Sequence, residues 1–225
     1  MNTFVATISK IILGPPIRWL LIKKIDGWEN IPEQNFILVS NHLSHSDWFM
    51  SGYICAPKKF VFIGQVDQYN TGFNAIWRRL IYWWASTIPV DRKSDESKRQ
   101  AIANAVQMLK NGYRVVIYPE GGRAYDGVMK EFKPGVGILY LETGVPVLPV
   151  ALKGTREILP PHGKLKIKKI VEISIGKPLD FAKEQETAAG FDKDSEQYHK
   201  LCADITQKIE NKVRKLLEDM SNVKS

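Results

Sequence analysis

Short apolar runs alternate with stretches of helical periodicity along most of the chain. Five runs of four to seven mostly apolar residues predict buried strands, at residues 36–40, 59–64, 87–90, 114–118 and 145–151. A further segment, residues 167–175, alternates apolar with polar or charged residues for much of its length and predicts a half-exposed strand.

Segments of helical period lie between these strands. Residues 94–110 place small and aliphatic side chains on one face, and residues 135–142 and 196–219 also predict helices. Residues 73–84 predict an aromatic-rich helix, whereas the polar stretch 183–195 predicts a loop. Strands that alternate with helices predict an α/β fold, with a mixed, largely parallel sheet flanked by helices.

The first 24 residues are apolar but interrupted. Apolar positions recur at helical spacing on both sides of Gly14-Pro15-Pro16, and basic residues stand at the edges of both pieces. This pattern predicts a pair of short helices, which fits either a bilayer interface or packing on the domain's own core. We expect a membrane-association segment at residues 1–25 and one domain at residues 26–225. No run reaches the ~18 uncharged apolar residues of a membrane span, and no small-residue cleavage site marks a secretory signal.

Composition and charge narrow the candidate functions. With 225 residues, 44% of them hydrophobic, the chain can build one domain with a buried core. A net charge of +8 indicates an anionic partner: nucleic acid, an anionic membrane surface or a phosphorylated substrate. There is no helix-turn-helix or RNA-binding signature, so nucleic acid is not expected. Cys55 and Cys202 stand in no paired spacing, which argues against a disulfide framework or a zinc site.

A histidine and an aspartate follow the strand at residues 36–40. His42 and Asp47 are separated by four residues at the junction between that strand and a helix. Across such a junction the carboxylate can reach the imidazole, fix its tautomer and stabilise its protonated form, as a general base requires. A histidine that caps a turn and an aspartate that caps a helix explain the same two residues. His45 is close by, but without further ligands no metal is expected.

Two more strand ends carry anion-binding residues. Arg92 follows one strand, and another strand is followed by Glu120, Gly121, Gly122 and Arg123. Ligands collect at the carboxyl ends of parallel strands, so these loops are expected to meet His42 in one crevice. Glycines present backbone N–H groups to an anion, and arginines offer forked donors that match a phosphate. Either arginine alone fits a surface ion pair better, whereas the whole set favours a phosphate site.

In this arrangement the chain resembles the glycerolipid acyltransferase family, the type of 1-acylglycerol-3-phosphate acyltransferase. Asn41-His42-x4-Asp47 matches the family's His-four-residues-Asp motif, and Ile88-Pro89-Val90-Asp91-Arg92 resembles its arginine-bearing block. Tyr118-Pro119-Glu120-Gly121-Gly122-Arg123 resembles its Phe-Pro-Glu-Gly-Thr-Arg block, and Val145-Pro146-Val147-Leu148-Pro149-Val150 its apolar proline-containing block. All four stand in the family's order between residues 41 and 150.

The resemblance implies a reaction and roles for the site residues. His42 would deprotonate an acceptor hydroxyl, oriented by Asp47, and the hydroxyl would attack an acyl thioester, either acyl-CoA or acyl-carrier protein, with no cofactor and no covalent acyl-enzyme. Arg92 and Arg123 would hold the phosphate of a lysophospholipid, and Glu120 would order its loop or contact the glycerol. The expected acceptor is 1-acylglycerol 3-phosphate and the product phosphatidic acid.

The resemblance also implies a location, and it leaves alternatives. The N-terminal pair would lie in an anionic membrane, giving a peripheral or monotopic protein at its cytoplasmic face. The alternatives are the same chemistry on another lysolipid, or a non-catalytic basic membrane-binding protein. Two departures bear on the acceptor: Gly122 replaces the usual Thr, which predicts a looser loop, and Gly64-Gln65-Val66-Asp67 replaces a Lys-x-Glu-Leu stretch, which removes a cation.

Overall fold

One mixed sheet organises the protein. The computed structural model describes residues 1–65, 86–124, 126–160 and 163–222. In these residues the sheet has the strand order β1-β7-β6-β2-β5-β3-β4, and only the β6–β7 pair is antiparallel. The strands are β1 (Ile22–Asp26), β2 (Ile37–Ser40), β3 (Phe60–Gln65), β4 (Thr87–Val90), β5 (Arg114–Ile117), β6 (Val147–Lys153) and β7 (Val171–Ile175). The predicted mixed, largely parallel α/β sheet is confirmed.

Helices cover both faces of this sheet. They are α1 (Thr3–Pro16), α2 (Asp47–Cys55), α3 (Asp95–Lys110), α4 (Gly135–Thr143), α5 (Thr155–Ile158), α6 (Ala182–Ala188) and α7 (Glu196–Asn222). Because successive side chains of a strand point to opposite faces, β2 contributes to two cores. Ile37 and Val39 pack with α3, α4 and α7, whereas Leu38 packs with α1 and α2.

Two sequence predictions were wrong in detail. Residues 183–195 do not form one loop, because α6 occupies their first part and packs Ala188 into the core. The half-exposed strand begins only at Val171, since residues 163–169 are exposed and lie outside the sheet. The predicted helix at residues 73–84 lies outside the described residues.

The N-terminal segment is one continuous helix, so the predicted break at Gly14-Pro15-Pro16 was wrong. The N–H of Ile17 donates to the carbonyls of Leu13 and Gly14, which carries the helix past two residues that have no N–H. The winding then widens to a π-helical turn at Ile17–Leu21. Thr3–Leu21 is therefore 19 residues long, enough to cross a membrane by length and composition, and only 11% of its most apolar stretch is buried in the protein.

The reversal of β7 determines where this helix ends. Strands β2 to β6 all end at one edge of the sheet, which we name the carboxyl edge. Because β7 is antiparallel to β6 and parallel to β1, both β7 and β1 begin at that same edge. The π-helical turn just before β1 thus lies at the same edge of the sheet as the loops that follow β2, β4 and β5.

Candidate active site

His42 and Asp47 form a buried pair at the carboxyl edge. The Asp47 Oδ2 atom lies 2.8 Å from His42 Nδ1 and also accepts the backbone N–H groups of Leu43 and Ser44, each at 2.8 Å. Since a carboxylate can only accept, Nδ1 carries the proton and Nε2 has a free lone pair. The His42 side chain lines a cavity, so the pair has the arrangement of a general base and its orienting carboxylate.

Asp47 is itself fixed by its position at the start of a helix. It is the first residue of α2 and is completely buried. The amino end of a helix favours negative charge, which suits a carboxylate at this position. Its second oxygen, Oδ1, has no hydrogen-bond partner among the described residues.

Glu120 joins the loop after β5 to the histidine loop. Its Oε1 atom accepts the backbone N–H of His42 at 2.6 Å, and Oε2 accepts the N–H of Lys130 at 3.0 Å. The Ala124 N–H donates in turn to the carbonyl of His42 at 2.9 Å. Burial raises the pKa of Glu120 to about 7, partly offset by those two N–H donors. Glu120 therefore orders the loop, and both of its carboxylate oxygens are engaged by backbone.

Tyr118 supports the imidazole from its flat side. The two rings are stacked with centroids 4.3 Å apart. The Tyr118 hydroxyl shares a 2.9 Å hydrogen bond with the Ser51 hydroxyl on α2, and burial raises the pKa of Tyr118 well above its usual value. The imidazole is thus held by a hydrogen bond at one nitrogen and by a ring on one face.

Side chains of other residues occupy the space beside both glycines of the loop. Gly121 has φ +69°, which favours glycine, and a Cβ there would lie 2.8 Å from Lys133 Nζ. A Cβ at Gly122 would lie 3.3 Å from the Nη1 atom of Arg92. The glycine that replaces the family's usual threonine thus allows a guanidinium to approach the loop. Lys133 gives this loop a cation that the sequence analysis missed.

His42 and Tyr118 line one cavity of about 440 Å³, within the range of small-molecule sites, whereas Glu120, Gly121 and Gly122 are not among its lining residues. Its polar side is lined by His42, His45, Arg92 and Arg123. Asp47 does not line it but lies directly behind His42. The structure therefore brings together the three loops that the sequence predicted would meet. Among the described residues, no group of three or more His, Cys, Asp or Glu could hold a metal ion.

The rest of the cavity is apolar and is formed partly by the N-terminal helix. Apolar lining comes from α1, the π-helical turn, α2 and β3, with Leu13, Ile17, Phe49, Phe60 and Phe62. Lys10 of α1 also lines it, and its Nζ atom donates to the Tyr53 carbonyl at 2.6 Å. The contact of α1 with the cavity is tertiary, so the apolar periodicity of α1 alone does not specify which of its residues line the cavity. The site can hold an anionic group beside the imidazole and a hydrocarbon chain farther in.

Comparisons with known proteins all find acyltransferases. A family model described as Acyltransferase matches residues 23–153. The chain is 32% identical over 155 residues to the 1-acyl-sn-glycerol-3-phosphate acyltransferase LPAT1, chloroplastic, of Arabidopsis thaliana, covering 64% of this chain and 41% of the relative. It is 29% identical over 183 residues to the 1-acyl-sn-glycerol-3-phosphate acyltransferase of Pseudomonas aeruginosa, covering 77% of this chain and 63% of the relative. The chain thus spans less than two thirds of either curated relative.

A solved structure shares the fold. The crystal structure of the 1-acyl-sn-glycerophosphate (LPA) acyltransferase PlsC from Thermotoga maritima matches with a TM-score of 0.61 and 27% sequence identity. The match covers 90% of this chain and 74% of the other.

Proposed function

The chain belongs to the acyltransferase family, and from that membership we propose that it acylates the free hydroxyl of 1-acylglycerol 3-phosphate to give phosphatidic acid. The observation that carries the proposal is the buried His42–Asp47 pair in the wall of a cavity that Arg92 and Arg123 also line. Both curated relatives described above are named for this acceptor, which supports the choice of substrate.

The chemistry needs one base and no covalent intermediate. As the acceptor oxygen attacks the thioester carbonyl, His42 Nε2 takes the hydroxyl proton and a C–O bond forms. Asp47 stabilises the resulting imidazolium through Nδ1. When the tetrahedral intermediate collapses, the C–S bond breaks and the proton passes from His42 to the departing thiolate. The products are the diacyl lipid and a free thiol.

The cations and the apolar lining would bind different parts of the substrates. Arg92 and Arg123 would hold the acceptor phosphate through charge-assisted hydrogen bonds, with the N–H group of Gly122 beside it. Gly121, whose N–H donates to the Tyr118 carbonyl at 3.3 Å, would shape the loop. Acyl chains would lie against the apolar lining from α1 and α2. The donor is acyl-CoA or acyl-carrier protein, and no cofactor takes part.

We also propose that the protein is peripheral or monotopic, at the cytoplasmic face of an anionic membrane. Residues 1–25 would be the membrane-association segment and residues 26–225 the acyltransferase domain, with the membrane contact confined to residues before β1, because Ile22–Asp26 belongs to the sheet. Large apolar side chains of the N-terminal helix support this location: Phe4, Ile11, Ile12 and Trp19 are each more than 60% exposed. Tryptophan beside basic residues suits a bilayer interface.

The direct test is the turnover of His42→Ala with lysophosphatidate and an acyl thioester, measured by the rate at which free thiol is released. Since general-base catalysis contributes roughly 10²- to 10⁴-fold, we expect at least a hundredfold loss of kcat. The matched control is His199→Ala, an exposed histidine on α7, which should keep full activity. Retained turnover in His42→Ala would contradict the mechanism. Acylation of a different lysolipid but not of lysophosphatidate would contradict the acceptor and leave the chemistry intact.

A further inference from the structure

A short segment just before β7 combines apolar and basic side chains in a way that the proposed reaction does not use. Residues 163–170, which we name the lysine loop, have the sequence Gly-Lys-Leu-Lys-Ile-Lys-Lys-Ile. Leu165 is 59% exposed and Ile167 is 66% exposed. Two large aliphatic side chains project into solvent between lysines, which requires an explanation because surface apolar groups are usually scattered singly.

The lysines of this loop are not neutralised. Lys164, Lys166, Lys168 and Lys169 are all exposed. In the part of the chain that the structure describes, no acidic side chain forms an ion pair with any of them. The loop itself contains no acidic residue. Its surface is therefore strongly cationic.

The base of the loop is fixed to the protein. The N–H of Lys166 donates to the Ile158 carbonyl of α5 at 2.8 Å. The carbonyl of Ile170 lies against Gly154, where a Cβ would come within 2.6 Å of it. The exposed side chains are thus presented from an anchored backbone.

The lysine loop lies beside the π-helical turn of the N-terminal segment. Val171, the next residue, pairs with Ile22, the residue after that turn. Ile170 and Leu21 pack against the same core. On the turn itself, Trp19 is 75% exposed and Leu20 is 48% exposed. Two exposed apolar elements from distant parts of the sequence thus end side by side at the carboxyl edge.

The cavity lies close to both elements. Ile17 of the π-helical turn lines the cavity, and so does Leu159, the neighbour of the Ile158 carbonyl that holds the lysine loop. The apolar and basic groups are therefore on the same side of the protein as the site.

We propose that the lysine loop is a second membrane-docking element, which places Leu165 and Ile167 in the interface of an anionic bilayer. Its four lysines would contact lipid phosphates while their alkyl stems lie along the interface. Charge complementarity and continuity with Trp19 and Leu20 favour a lipid surface as the occupant. This extends the proposed location, which assigns membrane contact to the residues before β1 alone.

The test is binding of the full chain to vesicles of phosphatidylcholine, with and without phosphatidylglycerol. The lysine variant replaces Lys164, Lys166, Lys168 and Lys169 with Gln. Because one basic residue near an anionic surface changes binding by roughly fivefold, we expect binding to anionic vesicles to fall at least tenfold. Binding to neutral vesicles should not change. Leu165→Ser with Ile167→Ser should weaken binding to both.

The matched control removes the same charge elsewhere. Gln replaces four exposed lysines on α3, α6 and α7: Lys110, Lys183, Lys200 and Lys215. At physiological salt, charges more than about 8 Å from the bilayer are largely screened, so this control should bind like wild type. Equal binding by the lysine variant and wild type would overturn the proposal, and so would an equal loss in the control.

Insertion is measured separately with a polarity-sensitive dye on Ile167→Cys. The two native cysteines are buried, so the introduced thiol is labelled selectively. Anionic vesicles should shift the emission to the blue, whereas a dye on Lys183→Cys should not respond. An unchanged spectrum at position 167 would overturn the proposal.

Turnover with a short-chain acceptor dissolved as monomers separates docking from catalysis. We expect the lysine variant to retain wild-type turnover in this assay. Loss of that turnover would place the loop in the reaction centre and overturn the docking role. If wild type itself fails to acylate the acceptor, the proposed reaction is wrong, while the vesicle results still decide the docking role.

Discussion

Three residues fix His42 from different sides. Asp47 accepts a hydrogen bond from His42 Nδ1, Glu120 accepts the backbone N–H of His42, and Tyr118 stacks on the imidazole ring. The spacing of His42 and Asp47 predicts the first contact, because local geometry across five positions is enough to make it. Glu120 is 78 positions from His42, so its contact depends on how β2 and β5 pair. A sequence names such a residue through a motif but does not specify its hydrogen bonds.

Glu120 makes stability depend on pH. Its pKa in the folded protein is about 7, compared with 4.5 ordinarily. The folded chain thus keeps a proton that the unfolded chain has lost between these pH values, so the free energy of unfolding falls as pH rises from 4.5 to 7. We expect a fall of about 3 kcal/mol, from about 1.4 kcal/mol per pKa unit.

Glu120→Gln cannot titrate and isolates this contribution. Urea unfolding of both proteins across the pH range should show the advantage of wild type shrinking as pH rises, then becoming constant above pH 7. Parallel stability curves for the two proteins would contradict the assignment.

At the scale of elements, the N-terminal helix shows where sequence patterns fail. Two adjacent prolines indicate a break, yet the backbone bonds of Ile17 continue the helix beyond them. The sequence of that helix also does not predict which residues it packs against. Lys10 donates to the Tyr53 carbonyl, and its Nζ atom lies 3.9 Å from the Tyr53 ring centre and 5.0 Å from that of Trp28.

We expect Lys10→Ala to loosen α1 from α2. A hydrogen bond to a charged group and a cation–π contact together are worth about 2 kcal/mol, which corresponds to roughly thirtyfold faster exchange of the α1 amides. Hydrogen exchange resolved by peptide checks this. Lys24→Ala, which removes an exposed pair with Asp26, is the control and should leave α1 unchanged.

Close packing of α4 on α7 depends on one glycine. A Cβ at Gly137 would lie 2.2 Å from the carbonyl oxygen of Cys202, which is backbone and cannot move aside. Gly137→Ala should therefore lower the free energy of unfolding by about 3 kcal/mol.

Gly135→Ala on the same helix is the matched control. There the new Cβ would lie 3.2 Å from Ile102 Cδ1, the movable end of a side chain. We expect a change of less than about 1 kcal/mol, measured by urea unfolding. Equal destabilisation by both substitutions would show that backbone contact is not the cause.

At the scale of the whole molecule, the period of apolar residues predicted the sheet, and the rule for parallel strands predicted that three loops converge. Those strands are the neighbours β2, β5, β3 and β4, so their ends meet. The antiparallel orientation of β7 relative to β6 was not predictable in the same way. Strand patterns do not reveal pairing order, and only that reversal brings β1 to the carboxyl edge.

That shared edge has a kinetic consequence. A lipid acceptor would not have to leave the bilayer to reach the site. Transfer of a long acyl chain from lipid to water costs on the order of 10 kcal/mol, at about 0.8 kcal/mol per methylene, and this cost would be avoided. The reaction would then be two-dimensional, with a rate set by the mole fraction of acceptor in the surface. Diluting a fixed amount of lysophosphatidate with inert phosphatidylcholine should lower the initial rate in proportion, and a rate that follows only the bulk concentration would contradict this.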